Sequence, residues 1–304
     1  MKNLRRKVAL VTGASRGLGI HIAKALANEG VNLVLAARSE SALQACCREV
    51  TAAGVQATAI PVNLAQRADV ESLARRAEEA YGRVDILVNN AGVLHTDDYA
   101  QLDLHAIEET IDINLRAPML LTRLLLPAMI ARGEGHVVNV SSVAGLGGAA
   151  YTESYSTTKH ALVGFTRSLR LTLQAEGHPV SASVICPGFV PETGLFHDGM
   201  QNSGTALPAR FGYASAEAVA RAVVEAVQRD RAEVVVNSLP VRPVVMLLTL
   251  FPSLAGRVAR ATGIGAVCKE LAHGAVRSKS GTLRATAAAS SAERPAPNQD
   301  AYKV

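Results

Sequence analysis

Short apolar runs rich in β-branched residues recur along the chain: "KVALVTG" (7–13), "VNLVLAAR" (31–38), "ATAIPVN" (57–63), "VDILVNNAG" (84–92), "HVVNVSS" (136–142), "VSASVICPG" (180–188) and "AEVVVN" (232–237). They are almost continuously apolar instead of alternating, which is the pattern of strands buried on both faces of a parallel sheet. Between them lie Ala/Leu-rich stretches with helical apolar spacing, at 17–30, 40–53, 67–81, 104–132, 154–176 and 215–230. Gly30, Gly54, Gly82, Gly133 and Gly177 fall near the ends of these stretches, where a left-handed cap is common. Strand alternating with helix through seven strands predicts an α/β, doubly wound Rossmann fold: a seven-stranded parallel sheet with helices on both faces, spanning residues 1–240.

Beyond residue 240 the pattern changes. "VRPVVMLLTLFPSL" (241–254) is apolar but broken by Arg242, Pro243 and Pro252, and too short to cross a bilayer. Residues 241–275 read as an apolar and basic extension. The stretch 276–304 is rich in Ala, Ser, Arg and Pro without apolar periodicity and reads as a disordered tail.

Charge sharpens this division. The net charge is +5, but residues 241–304 carry nine Lys or Arg against three Asp or Glu, so the excess lies in the last fifth of the chain. The basic balance therefore describes a tail, not a nucleic-acid-binding domain. Trp is absent and aromatics are 4%, which also argues against base stacking and so against a nucleic-acid partner. The four cysteines, Cys46, Cys47, Cys186 and Cys268, form no CxxC pair and have no His at metal spacing. They read as reduced thiols of a cytoplasmic protein, with no metal site. The N-terminal "MKNLRRKVALVTGAS" lacks the long apolar stretch of a secretory signal.

The first strand runs into "TGASRGLG" and then a predicted helix. Gly13, Gly17 and Gly19 let the backbone turn and approach a pyrophosphate, and the helix N-terminus offers free N–H groups. The spacing G-x-x-x-G-x-G differs from the G-x-G-x-x-G fingerprint, and an ordinary glycine-rich turn is the plain alternative. Its place after the first strand of a βαβ unit favours nucleotide binding. The second strand ends on Ala37 and Arg38, where a free 2′-hydroxyl would call for an acid. Arg16 in the loop and Arg38 together suit a 2′-phosphate, so the expected cofactor is NADP(H).

These residues resemble the short-chain dehydrogenase/reductase family. The matching elements are "TGASRGLG" (12–19), "NNAG" (89–92), Asn114 in "IDINL", Ser142 in "NVSS", "YSTTK" (155–159) and "PG" (187–188), in the family's order over roughly residues 6–238. The resemblance implies a cofactor site built from Gly13, Ser15, Arg16, Gly17, Leu18, Gly19, Arg38, Asn63, Leu64, Asn90, Ala91, Gly92, Tyr155, Lys159, Pro187, Gly188 and Val190. Asn89 would hydrogen-bond backbone across the sheet. The family's usual Asp after the third strand is Asn63 here, whose amide oxygen can still accept from an adenine amine. Where the family often has Thr after "PG", this chain has Glu192, with Thr193 one position later.

The chemistry can also be read from the residues. Reducing a carbonyl needs a hydride on carbon and a proton for oxygen. A free tyrosine titrates near pH ~10, and a neighbouring ammonium lowers that value. Tyr155 and Lys159 stand at i and i+4 on a predicted helix and share a face, whereas Tyr151 is two turns away from Lys159. Tyr155 is thus the expected general acid/base, with Lys159 its electrostatic partner and, by the resemblance, holder of the nicotinamide ribose. Ser142, thirteen residues before Tyr155, would hydrogen-bond the substrate oxygen; Ser141 is the rival, on the opposite face, and the resemblance picks Ser142 by the family's spacing. By the resemblance, Asn114 positions a water beside the lysine; a helix-interior Asn paired with backbone is the alternative.

By the resemblance, the segment after "PG" (189–212) would cover the substrate. Phe189, Leu195 and Phe196, with Tyr151, suggest an apolar pocket for a lipophilic ketone or alcohol, or else simply pack the cover onto the body. A lone His197 is more often just exposed. The basic, apolar stretch 241–284 invites a peripheral membrane contact, with packing on the domain or at a dimer contact as the rival. A homodimer or homotetramer is expected. The function expected is an NADP(H)-dependent oxidoreductase. A catalytically silent regulator on the same fold, or an epimerase or dehydratase, is the alternative.

Overall fold

A computed structural model describes residues 1–205, 208 and 211–272. The expected tail at 276–304, and the part of 241–284 beyond 272, lie outside the described residues. Seven strands form: β1 Val8–Thr12, β2 Asn32–Ala37, β3 Ala57–Pro61, β4 Ile86–Asn89, β5 Gly135–Val140, β6 Val180–Pro187 and β7 Glu233–Val236. They pair in the order β3-β2-β1-β4-β5-β6-β7, every pair parallel. Helices α1 (Leu18–Asn28), α2 (Glu40–Thr51), α3 (Arg67–Tyr81), α4 (Leu104–Ile111), α5 (Ala117–Arg132), α6 (Glu153–Ala175), α7 (Gly194–Ser203) and α8 (Ala216–Arg229) connect and cover them.

The continuous apolar runs are explained by burial on both faces. Val11 and Leu35 point into one layer with Ile22 and Leu26 of α1 and Val223 of α8. Their neighbours Leu10 and Val34 point into the other, with Leu73 of α3 and Leu121 and Leu125 of α5. Adjacent strand residues alternate between layers, so nearly every position must be apolar. The chain winds outward from β1 to β3 and then returns to place β4 beside β1. That reversal opens a crevice at the carboxyl ends of β1 and β4, where a doubly wound sheet binds ligands.

One expected helix is broken. Residues 104–132 do not run as a single α-helix; a π-helical turn at Asp112–Arg116 separates α4 from α5. Pro118 follows directly, and it has no N–H to give the carbonyl of Asn114 four residues back. The break therefore falls on a candidate site residue and deprives its backbone carbonyl of its ordinary helical partner.

After β7 the chain forms α9 (Arg242–Leu250), a 3₁₀ turn at Pro252–Leu254, α10 (Ala255–Thr262) and a further helical stretch at 264–272. The α9 segment and the segment Pro252–Thr262 meet at an angle of 112°.

Candidate active site

The strand-to-helix turn after β1 forms one wall of a cleft of about 310 Å³, lined by Gly13, Ser15, Arg16, Gly17 and Leu18. Gly13 has φ +69°, and a Cβ on Gly19 would stand 2.1 Å from the carbonyl oxygen of Gly13. The turn is thus so tight that only hydrogen fits at position 19. No side chain caps α1 and no acid lies in its first turn, so its leading N–H groups remain available to an anion. These features fit a dinucleotide pyrophosphate.

The opposite wall comes from Arg38 at the end of β2, Asn63 and Leu64 after β3, and Asn90, Ala91 and Gly92 after β4. Thr12 joins the walls: its hydroxyl accepts from the backbone N–H groups of Asn90 (3.0 Å) and Ala91 (3.1 Å). Asn90 in turn donates its amide to the carbonyl of Thr12 at 2.9 Å. Its amide nitrogen therefore braces the glycine loop, a task its place in "NNAG" did not disclose. Asn89 departs from expectation. It bonds the side chain of Asn139 on β5 at 2.8 Å, not backbone, because the two stand directly opposite in the β4–β5 register. Asn63 spends one lone pair of its amide oxygen on the N–H of Ala65 at 3.2 Å, which leaves the other for a ligand.

Neither arginine stands alone. Arg38 lies 3.8 Å from Glu109, which also holds His95 at 2.8 Å. Arg16 pairs with Asp198 on α7. Both guanidiniums are largely exposed, so these ion pairs are weak and exchangeable.

The reacting end lies where β5 meets α6. Tyr155 and Lys159 line the cleft on one face of α6, as the i, i+4 spacing requires, with Lys159 Nζ 5.6 Å from the Tyr155 ring centre. Lys159 is buried and donates to the carbonyl of Val140, the last residue of β5, at 2.8 Å. Ser142 follows two residues later; its hydroxyl accepts from the N–H of Ala144 at 3.1 Å and acts on the Tyr155 phenol, holding its pKa down against burial. Ser141 instead donates to the carbonyl of Lys159 at 2.9 Å. The two serines therefore take different partners, and it is Ser141, not the expected Ser142, that lines the cleft.

The electrostatics correct one expectation. The Tyr155 phenol is pushed up from its ordinary value, not down: burial is the largest cause, opposed by the Ser142 hydrogen bond. Burial also pushes Lys159 down to about 8, so the ammonium that should depress the phenol is itself poorly solvated. Tyr155 consequently sits protonated at neutral pH, the form that can give a proton to a carbonyl oxygen.

Asn114 is fully buried, and its amide clamps the backbone of Val93: it accepts from the N–H at 2.8 Å and donates to the carbonyl at 2.9 Å. It also reaches Thr158 on α6 at 3.3 Å. The side chain thus makes the backbone pairing named as its alternative role. Its backbone carbonyl has no helical N–H to accept, because Pro118 stands four residues on. A Cβ on Gly92 would lie 3.3 Å from Asn114 Oδ1 and 3.6 Å from Lys159 Nζ, so these groups converge on one point.

The segment after "PG" contains a helix, α7, that its mixed polarity and glycines did not suggest. Gly194 and Leu195 complete the cleft, and Gly194 packs against Gly17. Of the residues expected in an apolar pocket, only Leu195 lines this cleft. Phe189 and Phe196 pack on each other, ring centres 4.5 Å apart, and so join the cover to the body. Tyr151 lies outside the cleft lining, with a backbone φ of +60°. Val190 is buried in the core, and Pro187 and Gly188 continue the end of β6 beside β7. Glu192 accepts from the N–H of Ala216 at 2.7 Å, fastening the start of the cover to α8. His197 binds the Pro191 carbonyl at 2.6 Å, a local structural bond. All four cysteines are free and buried.

Comparison with known proteins agrees with this geometry. Residues 7–204 match the family described as short chain dehydrogenase. The chain is 40% identical over 241 residues to the ketoacyl reductase HetN of Nostoc sp., covering 79% of this chain and 82% of that protein. A metagenomic short-chain oxidoreductase solved with NADP superposes with a TM-score of 0.66 at 33% identity, covering 77% of this chain and 98% of that one. A short-chain dehydrogenase/reductase from Burkholderia phymatum solved with NAD gives a TM-score of 0.74 at 29% identity, covering 84% and 96%. A glycine loop at the switch point of a seven-stranded parallel sheet, a Tyr and Lys one turn apart on α6, and these relatives together establish that the chain belongs to the short-chain dehydrogenase/reductase family, oxidoreductases of the alcohol–carbonyl couple.

Proposed function

We propose that the protein is an NADP(H)-dependent reductase of lipophilic ketones, with β-ketoacyl compounds the first class to test. The observation that carries this reading is the placing of Tyr155 and Lys159 in the cleft that begins at the glycine loop and reaches Leu195, with Ser142 acting on the Tyr155 phenol from the end of β5. The relative HetN is named a ketoacyl reductase, which supports the substrate class. A nicotinamide cofactor, held by the glycine loop and Lys159, would supply a hydride to the carbonyl carbon. Tyr155 gives its proton to the oxygen, and Ser142 orients that oxygen by a hydrogen bond. Lys159 stabilises the phenolate that remains and holds the ribose. The freed carbonyl of Asn114 receives a water that returns a proton towards Lys159. A screen of β-ketoacyl thioesters and simple ketones, following NADPH absorbance, tests the assignment; turnover of none of them, with the cofactor bound, would overturn it.

Arg16 and Arg38 support NADP(H) over NAD(H). A 2′-phosphate would exchange with the weak partners Asp198 and Glu109 and gain charge-assisted hydrogen bonds instead. Arg38→Glu is expected to raise KM for NADPH by about 10²-fold while changing KM for NADH far less. Steady-state kinetics with both cofactors checks this, and a wild-type preference for NADH would refute the NADP(H) assignment.

The reductive kcat/KM should also depend on pH with a definite sign. The Lys159 ammonium is present below its value of about 8 and is lost above it. The rate should therefore be level below about pH 8 and fall above it. In Lys159→Met the overall rate drops and that falling limb disappears. A rate that rises through this range would contradict the role given to the lysine.

Exposed Leu104, Ile111, Met119 and Leu124 on α4 through α5 support a homo-oligomer, dimer or tetramer, formed through that face.

A further inference from the structure

Among the described residues none of the C-terminal extension lines the cleft, yet the extension packs on the loop that follows Ser142 and on the covering helix α7. Val245 of α9 packs 3.6 Å from the point where a side chain on Gly147 would begin, in the loop that follows Ser142. Leu271 packs 3.9 Å from the corresponding point on Gly199 of the covering helix α7. Leu271 and Ala272 are buried, so this attachment is firm.

The outer face of the extension is different in kind. Helix α9 buries none of its residues. Val241, Val245 and Leu248 turn inward, whereas Val244, Met246, Leu247, Leu250 and Phe251 are exposed, Leu250 by 72%. At 100° per residue these five cover an arc of about 160° on the side away from Val245. After the 112° bend, α10 carries exposed Arg257 and Arg260, and Lys269 follows. No ion pair among the described residues engages these three cations. Glu270 is the one acid between 241 and 272, and Arg277, Lys279 and Arg284 continue the basic sequence.

We propose that α9 and α10 form a docking surface for an anionic lipid bilayer, holding the loop after Ser142 and the cover α7 next to the membrane. The apolar arc would enter the acyl boundary and the arginines would meet lipid phosphates. The chemistry disfavours a second copy as the occupant. A two-fold contact through this face would gather Arg257, Arg260 and Lys269 of both copies at one seam, with Glu270 the one acid between 241 and 272 to offset them. The apolar arc is also unlike a span: nine residues of α9 rise about 14 Å, against a hydrocarbon core of about 30 Å.

The test is co-sedimentation of the full chain with phosphatidylcholine vesicles, with and without phosphatidylglycerol, at low and high salt. Pelleting is expected with the anionic vesicles only, and weakened by salt. Arg257→Gln with Arg260→Gln should reduce the partition about 30-fold, from about 1 kcal/mol per basic residue. Leu250→Asp with Phe251→Ser should abolish it. Both variants change exposed residues, and turnover of a water-soluble ketone should stay at the wild-type rate, which shows that they fold. Equal pelleting with neutral vesicles, or none with anionic ones, overturns the proposal. So does resistance to alkaline extraction, which marks a span. A change of oligomeric state in the Leu250→Asp/Phe251→Ser variant without vesicle binding would assign the face to a second copy instead. Because partition is read without turnover, failure here leaves the catalytic reading untouched.

Discussion

Tyr155→Phe is expected to lower kcat by about 10³-fold or more while NADPH binding, followed by fluorescence, stays near the wild-type affinity. The substitution removes only the phenol oxygen. The ring, its place on α6 and the contact with the Lys159 ammonium all remain, so the cleft should keep its shape. What disappears is the proton that burial holds on the oxygen at neutral pH and that Ser142 helps to orient. Hydride transfer to a carbonyl carbon then leaves an alkoxide with no acid within reach. Tyr151→Phe gives the contrast. Tyr151 lies outside the cleft lining, and its loss should leave kcat within about threefold of the wild type, the scale of a substitution away from the reacting groups. A Tyr155→Phe enzyme that keeps most of its kcat would assign the proton to another group.

How far the residues themselves disclosed this site depends on distance along the chain. The seven strands were legible because burial on both faces leaves few places for polar side chains, and Val11, Leu35 and Val138 sit where continuous runs put them. Tyr155 and Lys159 were legible because their coupling is set by one helical turn. Contacts between remote segments were not. Asp198 meets Arg16 across 182 positions, and neither residue's surroundings in sequence announce the other. The direction of the Tyr155 shift was misread for a related reason: spacing reveals the lysine but not the desolvation, which is the larger cause. The π turn at Asp112–Arg116 was not read from the sequence, because the apolar spacing of 104–132 runs on through Pro118 without a visible break. Here Pro118 follows a helix already under way, and the missing N–H falls on the carbonyl of Asn114. The cover helix α7 has Gly194, Gly199 and alternating polar residues, so its periodicity is weak; it is held by the Phe189–Phe196 contact and by Glu192 at α8.

The second large effect belongs to the turn that holds the cofactor. Gly19→Val should remove measurable binding of NADPH and NADH alike, a loss of at least about 10²-fold, and lower stability by about 1–3 kcal/mol. A Cβ at this position would stand 2.1 Å from the Gly13 carbonyl oxygen and 2.8 Å from Ala14 Cα, both backbone. Neither atom can rotate aside. The valine must push α1 away from the end of β1 or straighten the loop between them. Either movement withdraws the N–H groups of the α1 N-terminus from the position of the pyrophosphate, the part common to both cofactors. This separates the effect from that of Arg38→Glu, which should weaken NADPH while largely sparing NADH. Titration calorimetry with each cofactor, beside a thermal melt, distinguishes the two. A folded Gly19→Val protein that binds NADPH normally would show that the turn is looser than its backbone distances require.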